Sequence, residues 1–184
     1  MGRLIVICGP TLTGKTTIGR LVARRLRLQH LEMSDFALAE KSRYEVAEAP
    51  ISTLDYVEKV LWGNRDWDVV VRAMSSSMLG AGAVVTGPRR TEEVETLVGL
   101  RFDADLVYLD VPLDIRVDRA LRDAAKRAPP ERLVARTERE ATWGLLDRPL
   151  RFPFRVVSNA GSIEHAVAKI AVPYEATDEL NPRA

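Results

Sequence analysis

The sequence predicts an α/β fold: a five-stranded, mainly parallel sheet between helical layers. Three observations predict it. Short, β-branched apolar runs recur without polar alternation, as in strands covered on both faces. Stretches of helical period separate those runs, so strand and helix alternate. The chain has 184 residues, enough for one domain with a substantial core.

The elements follow in order. Leu4-Ile5-Val6-Ile7-Cys8 is a continuous apolar run and reads as a central strand. Gly9 to Gly14 break the pattern, and from Lys15 the period is helical, with Ile18, Leu21, Val22 and Leu26 on one face. Residues 28–31 form a weak strand that ends near Ser34 and Asp35, and helical stretches follow over about 53–62 and 66–79. Ala83-Val84-Val85-Thr86 is a short strand ending at Gly87-Pro88. Thr91 is the expected N-cap of the next helix, whose first turn carries Glu92, Glu93 and Glu95. Residues 105–110 are a strand, and Pro112 and Asp114 open a helix with Val117, Ala120, Leu121 and Ala124 inside. Ala128-Pro129-Pro130 ends it, and an arginine-rich helix is expected over about 131–144. Residues 154–157 are the last strand. Asn159-Ala160-Gly161 turns, Ser162 caps, and Ile163, Val167 and Ile170 mark a closing helix. The expected organisation is one domain over 1–174, with a movable segment at about 128–148, and a flexible polar tail over 175–184.

The charge balance excludes several classes. Lys and Arg number 27 against 26 Asp and Glu, so no general field exists to hold nucleic acid or an anionic membrane. One cysteine, Cys8, excludes a disulfide framework and a cysteine-based zinc site. No apolar stretch approaches the length of a membrane span, and the run at 4–8 is too short for a signal peptide, so a cytoplasmic protein is expected. The basic residues are 22 Arg and only 5 Lys. Base composition explains that bias most simply; two-pronged binding of phosphate is the other source.

Gly9-Pro10-Thr11-Leu12-Thr13-Gly14-Lys15-Thr16 fits the phosphate-binding pattern G-x-x-x-x-G-K-[ST], between a buried strand and an amphipathic helix as its mechanism requires. Backbone N–H groups of such a loop converge on a phosphate, and the helix N-terminus adds about half a positive charge. The expected nucleotide contacts are Gly9, Thr11, Thr13, Gly14, Lys15, Thr16 and Thr17. Lys15 reaches the outer phosphates, and the Thr16 hydroxyl is the expected ligand of Mg²⁺. The chain has no Asn-Lys-x-Asp run to read guanine, and its third strand ends without a carboxylate to order hydrolytic water. A small-molecule kinase using ATP and Mg²⁺ is therefore favoured over a switch GTPase or a motor.

These motifs resemble the nucleoside monophosphate kinase group of P-loop kinases, especially its adenylate-kinase-like and dephospho-CoA-kinase-like branch, over about residues 4–171. The resemblance implies a three-layer P-loop kinase fold with a short arginine-bearing lid helix. It places Asp35 near the acceptor, and Arg89 of Gly87-Pro88-Arg89-Arg90 on the acceptor phosphate, with Arg90 beside it. Leu109-Asp110-Val111-Pro112 with Arg116 and Arg119 resembles the segment leading into the lid. Arg136-Thr137-Glu138-Arg139-Glu140 with Trp143-Gly144 resembles the lid helix, and Asn159-Ala160-Gly161-Ser162 the turn beside adenine. In one place the chain departs from the family. Relatives carry Asp before the glycine of the third strand, where this chain has Thr86. Either Asp35 or Asp110 substitutes, or Thr16, phosphates and water hold Mg²⁺ alone.

Each residue also has a plainer role. Asp35 serves equally as a helix N-cap. Arg89 and Arg90 pair with Glu92 and Glu93 as readily as with a ligand. Arg122 and Arg127 fit i, i+4 surface pairs with Asp118 and Asp123. Arg132, Arg136 and Arg139 are spaced i, i+4, i+7 along one helical face, which suits a lid closing on phosphates. The expected catalytic set is Lys15, Asp35, Arg136 and Arg139, with Arg119 and Asn159 on the nucleotide and Asp35, Arg89 and Arg90 on the acceptor. The leading expectation is a nucleoside monophosphate acceptor. The alternatives are a hydroxyl acceptor (dephospho-CoA, a nucleoside or a hydroxymethylated base in DNA) and a nucleotide-binding module without transfer. Nucleic acid enters only as an acceptor, no membrane partner is expected, and the protein is a monomer or homodimer.

Overall fold

The computed structural model describes residues 2–44, 52–66, 68–78, 82–100, 103–122, 130–143 and 153–180. Five strands, β1 (Arg3–Cys8), β2 (Gln29–Glu32), β3 (Gly82–Thr86), β4 (Asp103–Asp110) and β5 (Arg155–Ser158), form one sheet in the order β2-β3-β1-β4-β5. Every pairing is parallel. The helices are α1 (Lys15–Leu26), α2 (Met33–Tyr44), α3 (Thr53–Asp55), α4 (Val69–Ser75), α5 (Thr91–Gly99), α6 (Leu113–Arg122), α7 (Pro130–Ala141) and α8 (Ile163–Leu180); α3 runs on as a π-helical stretch over Tyr56–Trp62. This is the predicted three-layer α/β architecture.

The apolar run of β1 is central because it is apolar on both faces: Leu4 through Cys8 are fully buried. Leu4, Val6 and Cys8 face a core built with Ala83, Val85, Leu106, Tyr108, Val71, Met74 and Trp143. Ile5 and Ile7 face the opposite core, with Val84, Val107, Leu109, Ile18, Val22 and Ile170. The period-2 alternation of side chains across a strand thus sorts one sequence run into two cores.

Several boundaries differ from the sequence expectation, each for a local reason. Helix α1 ends at Arg27 in the left-handed conformation (φ 53°), where Leu28 N–H returns to Ala23 O at 2.9 Å, so β2 begins one residue late and includes Glu32. Leu21 is 39% exposed and lies off the inner face. A 12-residue helix, α2, starts directly after β2 at Met33. Thr91 is the first residue of α5 rather than its cap. Arg90 caps it with extended backbone, and the buried Glu93 accepts from the N–H groups of Arg89 (2.6 Å) and Arg90 (3.1 Å). On α6 the inward face belongs to Arg116 and Ala120, while Leu121 is exposed. Ala124, Asp123, Arg127, Pro129, Gly144 and Trp67 lie outside the described residues, as do the ends of the expected 128–148 segment.

Helix α8 continues through Pro173 to Leu180, into the stretch read as a polar tail. Proline has no N–H to give the carbonyl four residues back. Arg155 of β5 supplies the donors, to Lys169 O at 2.5 Å and Ile170 O at 3.3 Å, and also bonds Asp105. Among the described residues, no helix is long and apolar enough to cross a membrane.

Candidate functional site

The loop after β1 lies at the carboxyl edge of the sheet, where open parallel sheets bind their ligands. Its backbone uses three positive-φ positions, Gly9 (φ 134°), Leu12 (φ 66°) and Gly14 (φ 89°). Gly14 is required there twice over, because a Cβ would also come within 2.7 Å of Asn159 Nδ2. It is the N-cap of α1 with no side-chain cap, and the first turn holds no acidic residue. The positive end of the helix dipole is thus left uncompensated by side chains of its own turn.

Inside the loop, Thr13 is fully buried and donates to Pro10 O at 2.8 Å, so its hydroxyl braces the loop from within. Lys15 Nζ donates to the same carbonyl at 2.6 Å. Burial pushes Lys15 down from 10.5 to about 8; Glu140 and Glu32 oppose that shift, and Arg89 adds to it. A lysine so placed gains from any anion that enters.

A cavity of about 420 Å³ opens on the loop, lined by Gly9, Pro10, Thr11, Leu12, Lys15, Thr16, Glu32, Ser34, Gly87, Pro88, Arg89, Arg136, Glu140 and Trp143. Glu32 is the residue that sequence reasoning missed. Its Oε2 accepts from Thr16 Oγ1 and from Thr86 Oγ1, each at 2.7 Å. A carboxylate from the end of β2 thus lies beside Thr86, its register partner at the end of β3. Asp35, exposed in the first turn of α2, and Asp110, exposed at the end of β4, do not line this cavity; Ser34 does. The available signal was a lone acid closing a short strand, and it reads as a site only once β2 is paired to β3.

Arg89 points into the same cavity, 5.8 Å from the Trp143 ring, and burial lowers its pKa. Arg90 turns the other way. It lies 5.2 Å over Trp62 and pairs with Glu92 at 3.2 Å. The arginine stripe of α7 divides likewise. Arg136 lines the loop cavity and bonds Glu140 at 3.2 Å, Arg139 pairs with Asp55 and Glu58 beside the π-helical stretch, and Arg132 is exposed. Arg90 and Arg139 line a separate open trough of about 340 Å³ with Trp62 and Trp143.

Glu140, one helical turn beyond Arg136, is buried against the loop. It accepts from Thr11 N–H at 2.9 Å and from the Thr11 hydroxyl. Arg116, also buried, reaches Thr11 O (3.4 Å) and Thr137 Oγ1 (3.1 Å). These contacts join α6, α7 and the loop.

A second cavity of about 290 Å³ adjoins the first through Leu12, Lys15 and Thr16, and adds Gly14, Thr17, Arg119, Asn159 and Ile163. Arg119 spans it, donating to Leu12 O at 3.2 Å and Asn159 O at 2.5 Å. Asn159 Nδ2 donates to Thr13 O at 2.8 Å, while its buried Oδ1 has no partner. An orphaned buried acceptor beside a cavity suits a donor on an incoming ligand. Among the described residues, no group of three or more His, Cys, Asp or Glu is placed to hold a metal. The donors present, one hydroxyl and one carboxylate, suit a hard cation that brings phosphate and water oxygens with it.

No family model matches the chain, and no curated protein matches it. Solved structures do, at low identity. Shikimate kinase from Acinetobacter baumannii in complex with shikimate is 20% identical, with a TM-score of 0.63 over 96% of this chain and 95% of that one. A sugar kinase from Janibacter sp. is 19% identical, TM-score 0.62, over 94% of each chain. A gluconokinase from Sinorhizobium meliloti is 15% identical, TM-score 0.59, over 96% and 97%. The fold is therefore that of the P-loop kinases. These similar structures are not of the adenylate-kinase-like and dephospho-CoA-kinase-like branch that the motifs suggested.

Proposed function

We propose that this protein is an ATP- and Mg²⁺-dependent kinase that transfers the γ-phosphoryl group to a hydroxyl of a small acceptor. The observation that carries the reading is the juxtaposition of Lys15, Thr16, Glu32, Arg89 and Arg136 around one cavity at the mouth of the loop. The second cavity, with Asn159 and Arg119, takes the nucleoside end of the donor. Thr16 and Glu32 are the residues that would hold Mg²⁺, which supplies neutralising charge to the phosphates when bound.

The chain's own groups carry the rest. Lys15 and the loop amides hold the outer phosphates in place. Arg136 offsets charge as the phosphoryl group passes from the β–γ bridging oxygen to the acceptor oxygen. Arg89 and Ser34 orient the acceptor, whose hydroxyl proton passes to solvent late in a loose transition state as its oxygen bonds phosphorus, so charge placement outweighs base strength. Helix α7 over the loop excludes water that would otherwise take the phosphoryl group.

A hydroxyl acceptor is preferred to the nucleoside monophosphate expected first. Glu32 and Glu140 offset two of the three charges of Lys15, Arg89 and Arg136, which favours an acceptor without a phosphate of its own. The named acceptors of the similar enzymes point the same way. Glu32, hydrogen-bonded to Thr16 and Thr86, supports the catalytic reading over a nucleotide-binding module without transfer.

The test is ADP release from ATP across shikimate, gluconate, nucleosides, nucleoside monophosphates, dephospho-CoA and hydroxymethylated DNA. A hydroxyl-bearing acceptor should stimulate release, and Lys15→Ala should abolish the stimulation with the fold intact by circular dichroism. Stimulation by nucleoside monophosphates alone would overturn the acceptor class. No stimulation by any of them would overturn the kinase reading.

A further inference from the structure

We propose that His30 and Thr86 are positioning residues that aim Glu32 at the cation side of the loop, through a fixed row of hydrogen bonds from His30 to Thr86 to Glu32 to Thr16. The inference rests on the kinase reading and adds residues which that reading does not use.

Proton bookkeeping along the row leaves one arrangement. The Thr86 hydroxyl has a single hydrogen, and Glu32 Oε2 lies 2.7 Å away. An ionised carboxylate only accepts, so Thr86 donates there. His30 Nε2 lies 2.9 Å from the same hydroxyl oxygen. Thr86 has no hydrogen left to give, so His30 must donate, which fixes the ring as Nε2–H. Thr16 Oγ1 gives its own hydrogen to Oε2 at 2.7 Å. Two hydroxyl donors therefore converge on one carboxylate oxygen. The Thr16 lone pairs stay uncommitted, as a cation ligand requires.

The backbone around the row is shaped for it. Glu32 and Thr86 are register partners, and His30 lies two residues before Glu32 on the same face of β2. Thr86 is fully buried. Gly19 of α1 packs directly on the row: a Cβ there would lie 2.3 Å from Thr86 Cγ2 and 3.0 Å from His30 Nε2. At Gly87 (φ 98°) a Cβ would lie 2.5 Å from Glu32 Oε1. Two glycines thus admit a histidine, a threonine and a glutamate where a helix and a strand end meet.

Two measurements test the row. The first needs no ligand: imidazole ¹⁵N spectra of the nucleotide-free protein should show His30 protonated at Nε2, with that proton protected. Protonation at Nδ1 alone would overturn the proposal. The second compares ATP affinity with Mg²⁺ and with EDTA. In Thr86→Val the gain in affinity on adding Mg²⁺ should shrink about tenfold, the loss expected for one charge-assisted hydrogen bond. Affinity in EDTA should hold, and Thr86→Ser should retain the gain. His30→Leu should lose about threefold of the gain and His30→Gln, which keeps a donor, should not; this pair carries the test if Thr86→Val does not fold. Wild-type gain in both Thr86→Val and His30→Leu would overturn the relay alone. Failure of the wild type to bind ATP at all would instead overturn the kinase reading, and the relay with it.

Discussion

Lys15 shows how burial prepares a residue for its ligand. With its pKa pushed down to about 8 in the folded protein, against 10.5 ordinarily, the ammonium is partly deprotonated at mildly alkaline pH. A bound triphosphate favours the charged form, so nucleotide binding should take up a proton. Calorimetry in buffers of different ionisation enthalpy should find this lysine's share of the uptake rising to about half a proton near pH 8 and vanishing near pH 6. Uptake of zero at both pH values would show that the lysine is already fully charged. The sign for stability follows from the same shift. Between about pH 8 and 10.5 the unfolded chain holds more of this proton than the folded one, so this residue's contribution to stability rises with pH. Below pH 8 the burial penalty is fully present. Lys15 itself was legible from its motif. Its altered basicity was not, because the burial that lowers it is a product of the fold, and the charges that modulate it, Glu140, Arg89 and Glu32, are distant in sequence.

At the level of elements, α7 meets the loop directly through one carboxylate, with Arg116 bridging the two. Glu140 takes the Thr11 N–H and hydroxyl and pairs with Arg136, so the helix carries its own anion to the mouth of the site. Hydrogen bonds to a charged partner are worth about 1.5–3 kcal/mol. Glu140→Ala should therefore speed amide hydrogen exchange along α7 by about tenfold or more, with β1 and β4 unchanged; exchange at the wild-type rate would mean that other contacts hold the helix. The sequence showed α7 and its arginines plainly, since their spacing is a helical period. It did not separate their surroundings. Arg136 and Arg139 are close around the axis, yet the loop lies on one side and Asp55 with Glu58 on the other. A stripe read in isolation has no way to tell which neighbour each end will meet. The π-helical turn at Tyr56–Trp62, which turns Tyr56, Val57, Leu61 and Trp62 inward, has no local signature either.

The whole molecule carries almost no net charge, and acids offset part of the positive charge at the site. An acceptor held by one or two local contacts should therefore show a KM that changes less than about threefold between 50 and 200 mM NaCl, whereas a polynucleotide held by 6–10 phosphates would lose about 10³- to 10⁵-fold. A steep salt dependence of the acceptor KM would bring polynucleotides forward. The layers, strand directions and loop were readable because hydrophobic period and glycine placement are local properties. Glu32 was not, since its partner Thr86 is 54 residues away and meets it only through the register of β2 on β3. That register has a consequence for how such proteins are recognised. A screen asking every chain with this loop for an aspartate in one fixed column would discard this one as a dead relative. Adjacent parallel strands end side by side, so an acid and an alcohol can trade columns while the backbone stays as it was. The trait to search for is the couple, read across the sheet.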